Sequence, residues 1–215
     1  MKYKSVVFDL DGTLLDTLGD LKNSVNFALR KNGLPERSTE EIRSFVGNGI
    51  RLLIERSVAA DTPREITDKC FEDFKSHYAE NSAVLTKPYD GIIEVLEELK
   101  NNNIKLSVVS NKADFAVKIL VERYFPGLFD CAYGEKEGIA RKPAPDSVFA
   151  VINEMNSEFS ETIYVGDSEV DIETSKNAGL PCVAVTWGFR NKSVLECLNP
   201  EYIIDIPSEI IDVLK

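Results

Sequence analysis

Short apolar runs rich in β-branched residues alternate along this chain with stretches of helical period, and the alternation predicts the fold class. "SVVFDLDG" from Ser5, "IKLSVVSNK" from Ile104, "TIYVGDSEVD" from Thr162 and "PCVAVTWG" from Pro181 each end in small or polar residues. Runs of this kind, apolar on both faces, predict strands in the interior of a parallel sheet. "EYIIDI" near the C-terminus predicts one more. Between the runs, Ile92, Leu96 and Leu99 share a helical face, as do Val117, Leu120 and Val121, and Val148, Phe149 and Ile152. Repeated strand and helix predict an α/β protein with a Rossmann-like parallel sheet and helices on both faces.

The segment from Asp16 to Ala83 breaks that alternation. Leu18, Leu21, Val25 and Leu29 predict a helix closed by Gly33, and Ser38 with Glu41 forms the capping-box pattern that opens a second. "GIRLLIERSVAA" and "REITDKCFEDFKSHYAE" predict two more, with no strand pattern between them. The expected organisation is therefore an α/β core of residues 1–15 and 84–215, with an α-helical domain inserted at 16–83.

Composition narrows the function. With 43% hydrophobic and 28% charged residues the chain reads as a soluble globular protein, and no apolar run approaches the roughly 20 residues of a membrane span. Carboxylates interrupt the N-terminal apolar stretch and no small-residue cleavage site follows, so no signal peptide is expected. Cys70, Cys131, Cys182 and Cys197 are scattered without a CxxC pair, which predicts buried reduced thiols and a cytoplasmic protein. A net charge of −11 argues against nucleic-acid or anionic-membrane partners. An anionic substrate would then need its own local cation, from lysine, arginine or a metal.

The strand ends supply such a constellation. Side chains alternate along a strand, so Asp9 and Asp11 share a side if the extended conformation persists, with Leu10 pointing away. Adjacent carboxylates repel unless a cation sits near them. Gly12 allows a sharp turn where open α/β sheets bind ligands. "VVSNK" contributes Ser110 and Asn111, expected near a helix start that could hold an anion, "RKPAPD" contributes Lys142, and "VGDSEVD" contributes Asp167 and Asp171. In a parallel sheet all of these meet at one edge. Hard oxygen ligands favour Mg2+, and the set contains a carboxylate nucleophile with an acid/base partner two residues on, which is equipment for phosphoryl transfer. A calcium-loop reading of "DSEVDIE" fails, because Ile172 stands where that loop needs glycine and Ala178 where it needs glutamate.

With these motifs in order, the chain resembles a haloacid dehalogenase superfamily phosphatase over nearly its whole length. "DLDGT", Ser110 in "VVSNK", Lys142 in "RKPAPD" and "GDSEVD" are similar to the family's four motifs, and the inserted helices to its cap. The resemblance implies that Asp9 is the nucleophile and a Mg2+ ligand. Asp11 would be the acid/base that lends only its backbone carbonyl to the metal. It further implies that Ser110 and Asn111 bind phosphoryl oxygens, that Lys142 offsets their charge, that Asp167 ligates Mg2+, and that Asp171 supports the metal or Lys142. Gly12 and Thr13 of the first motif join the expected substrate contacts.

In the cap, "FVGNGIRLLI" sets Asn48 and Gly49 before a helix and Arg51 in its first turn, a loop suited to a second anion such as a carboxylate. This stretch resembles the phosphoglycolate phosphatase subgroup. The expectation is a Mg2+-dependent phosphatase of a small phosphorylated metabolite, 2-phosphoglycolate first, working through an aspartyl-phosphate as a monomer or weak homodimer. A β-phosphoglucomutase-like phosphomutase or a pyrophosphatase of the same superfamily is the alternative within the enzyme class. A regulatory phospho-acceptor module is the alternative outside it, disfavoured by the inserted cap and by an acid pair on the same strand end as the candidate nucleophile.

Overall fold

The β-branched runs become strands because their neighbours cover both of their faces. A computed structural model describes all 215 residues. The elements in order are β1 (Ser5–Phe8), β2 (Leu15–Asp16), α1 (Leu18–Lys31), α2 (Thr39–Phe45), α3 (Gly49–Ser57), α4 (Arg64–Asn81), β3 (Lys87–Pro88), α5 (Ile92–Asn101) and β4 (Lys105–Ala113). There follow α6 (Asp114–Tyr124), β5 (Cys131–Glu135), α7 (Asp146–Glu154), β6 (Thr162–Gly166), α8 (Glu169–Ala178), β7 (Cys182–Val185), α9 (Lys192–Cys197), β8 (Tyr202–Ile204) and α10 (Glu209–Leu214). The chain divides into two compact units, Met1–Leu15 with Pro88–Lys215, and Asp16–Lys87.

In the first unit six strands run in the order β5-β4-β1-β6-β7-β8, and every pairing is parallel. All residues of β1, β6 and β7 are buried, as strands covered on both faces require. Val7, Val109, Tyr164 and Ala184 pack on one side with Val148, Val151 and Ile152 of α7 and Ile172 of α8. Register aligns the strand ends: Phe8 pairs with Val108 on one side and Val165 on the other, so the residues that follow all three emerge at one edge. That edge carries the candidate chemistry.

Two sequence expectations need correction here, and one strand was not anticipated. The edge strand β5, "CAYGE", had no recognisable strand signal, because only Cys131 and Gly134 are buried and a glycine and a glutamate dilute the pattern. On α7, Val148, Val151 and Ile152 are buried, while Phe149 turns outward against Phe159, their ring centroids 5.6 Å apart. Cys70, Cys131 and Cys182 are buried free thiols, whereas Cys197 at the end of the short α9 is exposed.

In the second unit, helices α1 to α4 bury Val25, Leu29, Ile42, Leu53, Ile54 and Phe74. The Ser38–Glu41 capping box opens α2, with both reciprocal hydrogen bonds present. His77 packs flat on Phe27 at 4.2 Å and shares a hydrogen bond with Ser24. The unit continues past the expected residue 83 to Lys87, and Asp20 shows why. This buried carboxylate accepts from the backbone N–H groups of Val84, Leu85 and Thr86 and from the Thr86 hydroxyl, tying the segment to α1. Replacing Asp20 with Ala strands those donors and is expected to destabilise this unit by about 3 kcal/mol, read as a lower urea midpoint at unchanged slope. An unchanged midpoint would contradict the anchoring role. No helix of the protein is long and apolar enough to cross a membrane.

Candidate active site

Strand β1 ends at Phe8, and the next backbone N–H, that of Asp9, still donates to Val165 of β6. Asp9 is therefore fixed at the sheet edge, while Leu10 is fully buried on the other side. The two aspartates then part company. The Lys142 ammonium donates to Asp9 Oδ1 at 2.7 Å, and the Lys112 ammonium donates to Asp11 Oδ1 and Oδ2 at 2.9 and 3.2 Å. Each carboxylate of "DLDG" has its own buried lysine.

Lys142, delivered from the loop before α7, is 4% exposed. Besides Asp9 it reaches Asp171 Oδ1 at 2.8 Å and the Tyr164 hydroxyl at 3.1 Å, so its three protons all have acceptors. Asp171 is saturated as well. Its Oδ1 takes Lys142 and Tyr164, and its Oδ2 takes the backbone N–H and hydroxyl of Ser168. Of the two roles expected for Asp171, orienting Lys142 is the one this bonding pattern favours. Asp167, 1% exposed, accepts from the Phe189 backbone N–H at 2.7 Å and from the Thr13 hydroxyl.

Two glycines make room for Asp167. Gly12 has φ +92°, and a Cβ there would lie 2.5 Å from Asp167 Oδ2. A Cβ on Gly188, in the loop after β7, would lie 2.4 Å from the same oxygen and from the Gly12 carbonyl. That loop is further held by Trp187, whose indole N–H donates to the Thr13 carbonyl, and by a two-point pair between Arg190 and Glu169. Thr13 itself is fully buried, and its hydroxyl supports Asp167.

Ser110 is buried near the end of β4, and its Oγ accepts from the Lys112 backbone N–H. The expected helix start beside it lies farther on: β4 runs to Ala113 through a register shift against β5, and α6 begins only at Asp114. Asn111 donates its side-chain N–H to the Lys142 carbonyl, joining the two loops. In the helical unit, Asn48 is the N-cap of α3 and Gly49, at φ +82°, its first residue. Arg51 lies within that unit against Glu55 at 2.7 Å, Asp68 at 2.6 Å and the Phe71 ring.

The electrostatics of the core cluster are short of cations. Burial, then the Asp171 charge, pushes Asp9 from its ordinary 3.8 up to about 7 despite Lys142. Burial, with Asp171 and Asp9, holds Asp167 well above the usual carboxylate range. Burial alone would discharge Lys142, yet Asp171 and Asp9 beside it hold it well above its ordinary value, so it stays an ammonium. Ligand oxygens of Asp9, Asp167 and Asp171 lie within 4.8 Å of one another. Hard oxygen donors, close and under-neutralised, fit a small divalent cation such as Mg2+, with Asp9 and Asp167 the side chains available to hold it. The Asp11 carboxylate, turned to Lys112, lies outside this group.

A parallel sheet with a nucleophile-type carboxylate, a buried lysine and an acidic cluster at its edge suits phosphoryl transfer, and comparison with known proteins gives the class. Residues 6–185 match the haloacid dehalogenase-like hydrolases, and the chain belongs to that family. Among its relatives, a phosphoglycolate phosphatase of Aquifex aeolicus is 34% identical over 97% of this chain and 95% of its own length. One of Mesorhizobium japonicum is 35% identical over 93% and 89%. The crystal structure of a candidate phosphoglycolate phosphatase from Lactobacillus delbrueckii subsp. bulgaricus superposes with a TM-score of 0.95 at 34% identity, covering 100% of this chain and 99% of that one. The protein is a phosphatase of this family.

Sequence reasoning overlooked two side chains of the site. Lys112 follows Ser110 by two residues, so strand period puts both on one side of β4, which was the available signal. Tyr164 is a hydroxyl in an otherwise apolar, fully buried strand, and such a group needs a partner. The Phe189 backbone N–H leaves no trace in sequence.

Proposed function

We propose that this phosphatase hydrolyses a small phosphorylated metabolite, 2-phosphoglycolate, with Mg2+ and through an aspartyl-phosphate on Asp9. The observation that carries the reading is Lys142, whose buried ammonium joins Asp9 to Asp171 beside Asp167. In the first step an Asp9 carboxylate oxygen bonds to phosphorus and the bond from phosphorus to the leaving oxygen breaks, while Asp11 gives its proton to that oxygen. In the second, water attacks phosphorus as Asp11 takes its proton, and the Asp9 carboxylate leaves as inorganic phosphate forms. Ser110 and the Asn111 backbone hold phosphoryl oxygens, and Lys142 offsets charge as it develops. Asp9, Asp167 and the Asp11 carbonyl would hold the Mg2+, which would supply electrostatic stabilisation of the phosphoryl oxygens. The relatives' names support the substrate, and the four free cysteines support a reducing compartment, the cytoplasm.

A phosphate-release screen over phosphorylated metabolites, with and without Mg2+, tests the reading. Highest kcat/KM for 2-phosphoglycolate, lost without metal, is the expected result, and a preference for a hexose phosphate or a nucleotide would overturn the substrate. The helical unit's part is narrower. Asn48, Gly49 and Arg51 form the proposed carboxylate contact, for which Arg51 must exchange Glu55 and Asp68 for substrate. Replacing Arg51 with Ala is expected to raise KM about tenfold for 2-phosphoglycolate and little for p-nitrophenyl phosphate. Equal effects on both would count against that contact.

A further inference from the structure

Asp11 gains its place from a residue that the phosphatase reading leaves without a role. We propose that Lys112 is the positioning residue for the acid/base carboxylate of Asp11, an inference that rests on the mechanism proposed above. The Lys112 side chain is 4% exposed, and its ammonium grips both oxygens of a carboxylate that is 16% exposed. The grip comes from a residue whose backbone is packed within the sheet. Lys112 sits in β4, its backbone N–H donates to Ser110 Oγ, and a Cβ on Gly134 of the neighbouring β5 would lie 2.5 Å from the Lys112 carbonyl. Strand β5 is thus packed directly onto the Lys112 backbone.

The Asp11 backbone is held in a turn bridged to Leu15, whereas the hydrogen bonds on its carboxylate come from Lys112. The residue lies past the end of β1 and just before Gly12 at φ +92°, so no continuing strand directs its side chain. Asp9 meanwhile is bound by a different lysine, so the two aspartates are kept apart by two cations instead of competing for one. The shorter contact, from the Lys112 ammonium to Asp11 Oδ1, fixes the plane and direction of the carboxyl group. The fixed hydrogen bond at one oxygen sets where the other delivers or collects a proton.

This role makes the demand on Lys112 depend on the leaving group. An alkoxide must be protonated as its bond to phosphorus breaks, whereas p-nitrophenolate departs without help. Because kcat/KM covers only the steps through cleavage of that bond, it separates the two cases. The experiment compares wild type, Lys112→Met and Lys112→Arg, with Mg2+ present, on 2-phosphoglycolate, glycerol 2-phosphate and p-nitrophenyl phosphate. For Lys112→Met the expected result is a loss of about 30-fold in kcat/KM on both alkyl phosphates and less than about threefold on the aryl phosphate. Lys112→Arg, which keeps two donors on Asp11, recovers most of the alkyl rate.

Equal losses on all three substrates would overturn the proposal in favour of a phosphoryl-binding or purely structural lysine. A loss confined to 2-phosphoglycolate would overturn it in favour of a carboxylate contact, and no loss would overturn it outright. Wild type that turns over none of the three, or Asp9→Asn that retains wild-type rates, would instead bring down the mechanism on which the inference rests, and the inference with it.

Discussion

Replacing Asp9 with Asn is expected to cut kcat by about 10^4-fold or more while the protein still folds. Asparagine keeps the shape and can still accept from Lys142, but its amide is no nucleophile. The fold has reason to tolerate the change. Asp9 is a buried carboxylate held up at about 7 by burial and by Asp171, so its charge is a cost to the metal-free native state and its neutral isostere relieves part of it. A melting temperature equal to or above that of the wild type in chelator, together with abolished turnover, separates a chemical role from a structural one. Near-normal hydrolysis by pure Asp9→Asn protein would remove Asp9 from the mechanism.

The second large effect concerns the metal and its dependence on pH. Asp9 titrates near 7 in the folded chain against an ordinary 3.8. Between those values the native state binds more protons than the unfolded chain, so stability falls as pH rises through that window. Asp167 is shifted in the same direction and adds to the slope, whereas Lys142, raised above its ordinary value, stays charged across the window and contributes none. The metal-free protein should therefore lose melting temperature from about pH 4 to about pH 7, and Asp9→Asn should flatten part of that slope. Mg2+ binds the ionised carboxylates, so it should stabilise more at about pH 7.5 than at about pH 5. At a hundred times its dissociation constant the gain is about 2.7 kcal/mol, which in a chain of this size shifts the melting temperature by about 5 to 10 °C. A Mg2+ shift independent of pH, or none at any pH, would contradict a site built on Asp9 and Asp167.

The elements legible in the sequence were those whose local pattern and tertiary role agree. Strands β1, β4, β6 and β7 are inner strands, so burial on both faces left unbroken β-branched runs to read. The four helices of the inserted unit carried apolar stripes, and α2 its capping box as well. What escaped depended on neighbours. Strand β5 is a half-exposed edge, defined by hydrogen bonds to β4 more than by its own residues. The polar "SNK" at the end of β4 was expected beside a helix start, yet the strand continues through a register shift to Ala113, and that extension carries Lys112 to Asp11.

The site divides in the same way. Asp9, Asp11, Ser110, Lys142, Asp167 and Asp171 could be found because each stands at a strand end or in a short motif, and the sheet register brings those ends to one edge. Their partners could not, because a hydrogen bond from the Phe189 backbone or a 2.4 Å clearance at Gly188 is a property of packing. Thr13 shows the limit from the other side. Its motif position suggested substrate contact, and only the fold reveals that its hydroxyl supports Asp167 from within the core.

The most direct test is to catch the phosphoryl group on the chain. Wild-type protein is mixed with Mg2+ and 2-phosphoglycolate, quenched in acid within the first turnover, and reduced with borohydride, which converts an acyl-phosphorylated aspartate to homoserine. Peptide mass spectrometry is predicted to find homoserine at position 9 and nowhere else, and none when substrate is omitted. Rapid turnover with no modification at Asp9, or with the label on another residue, would contradict the account.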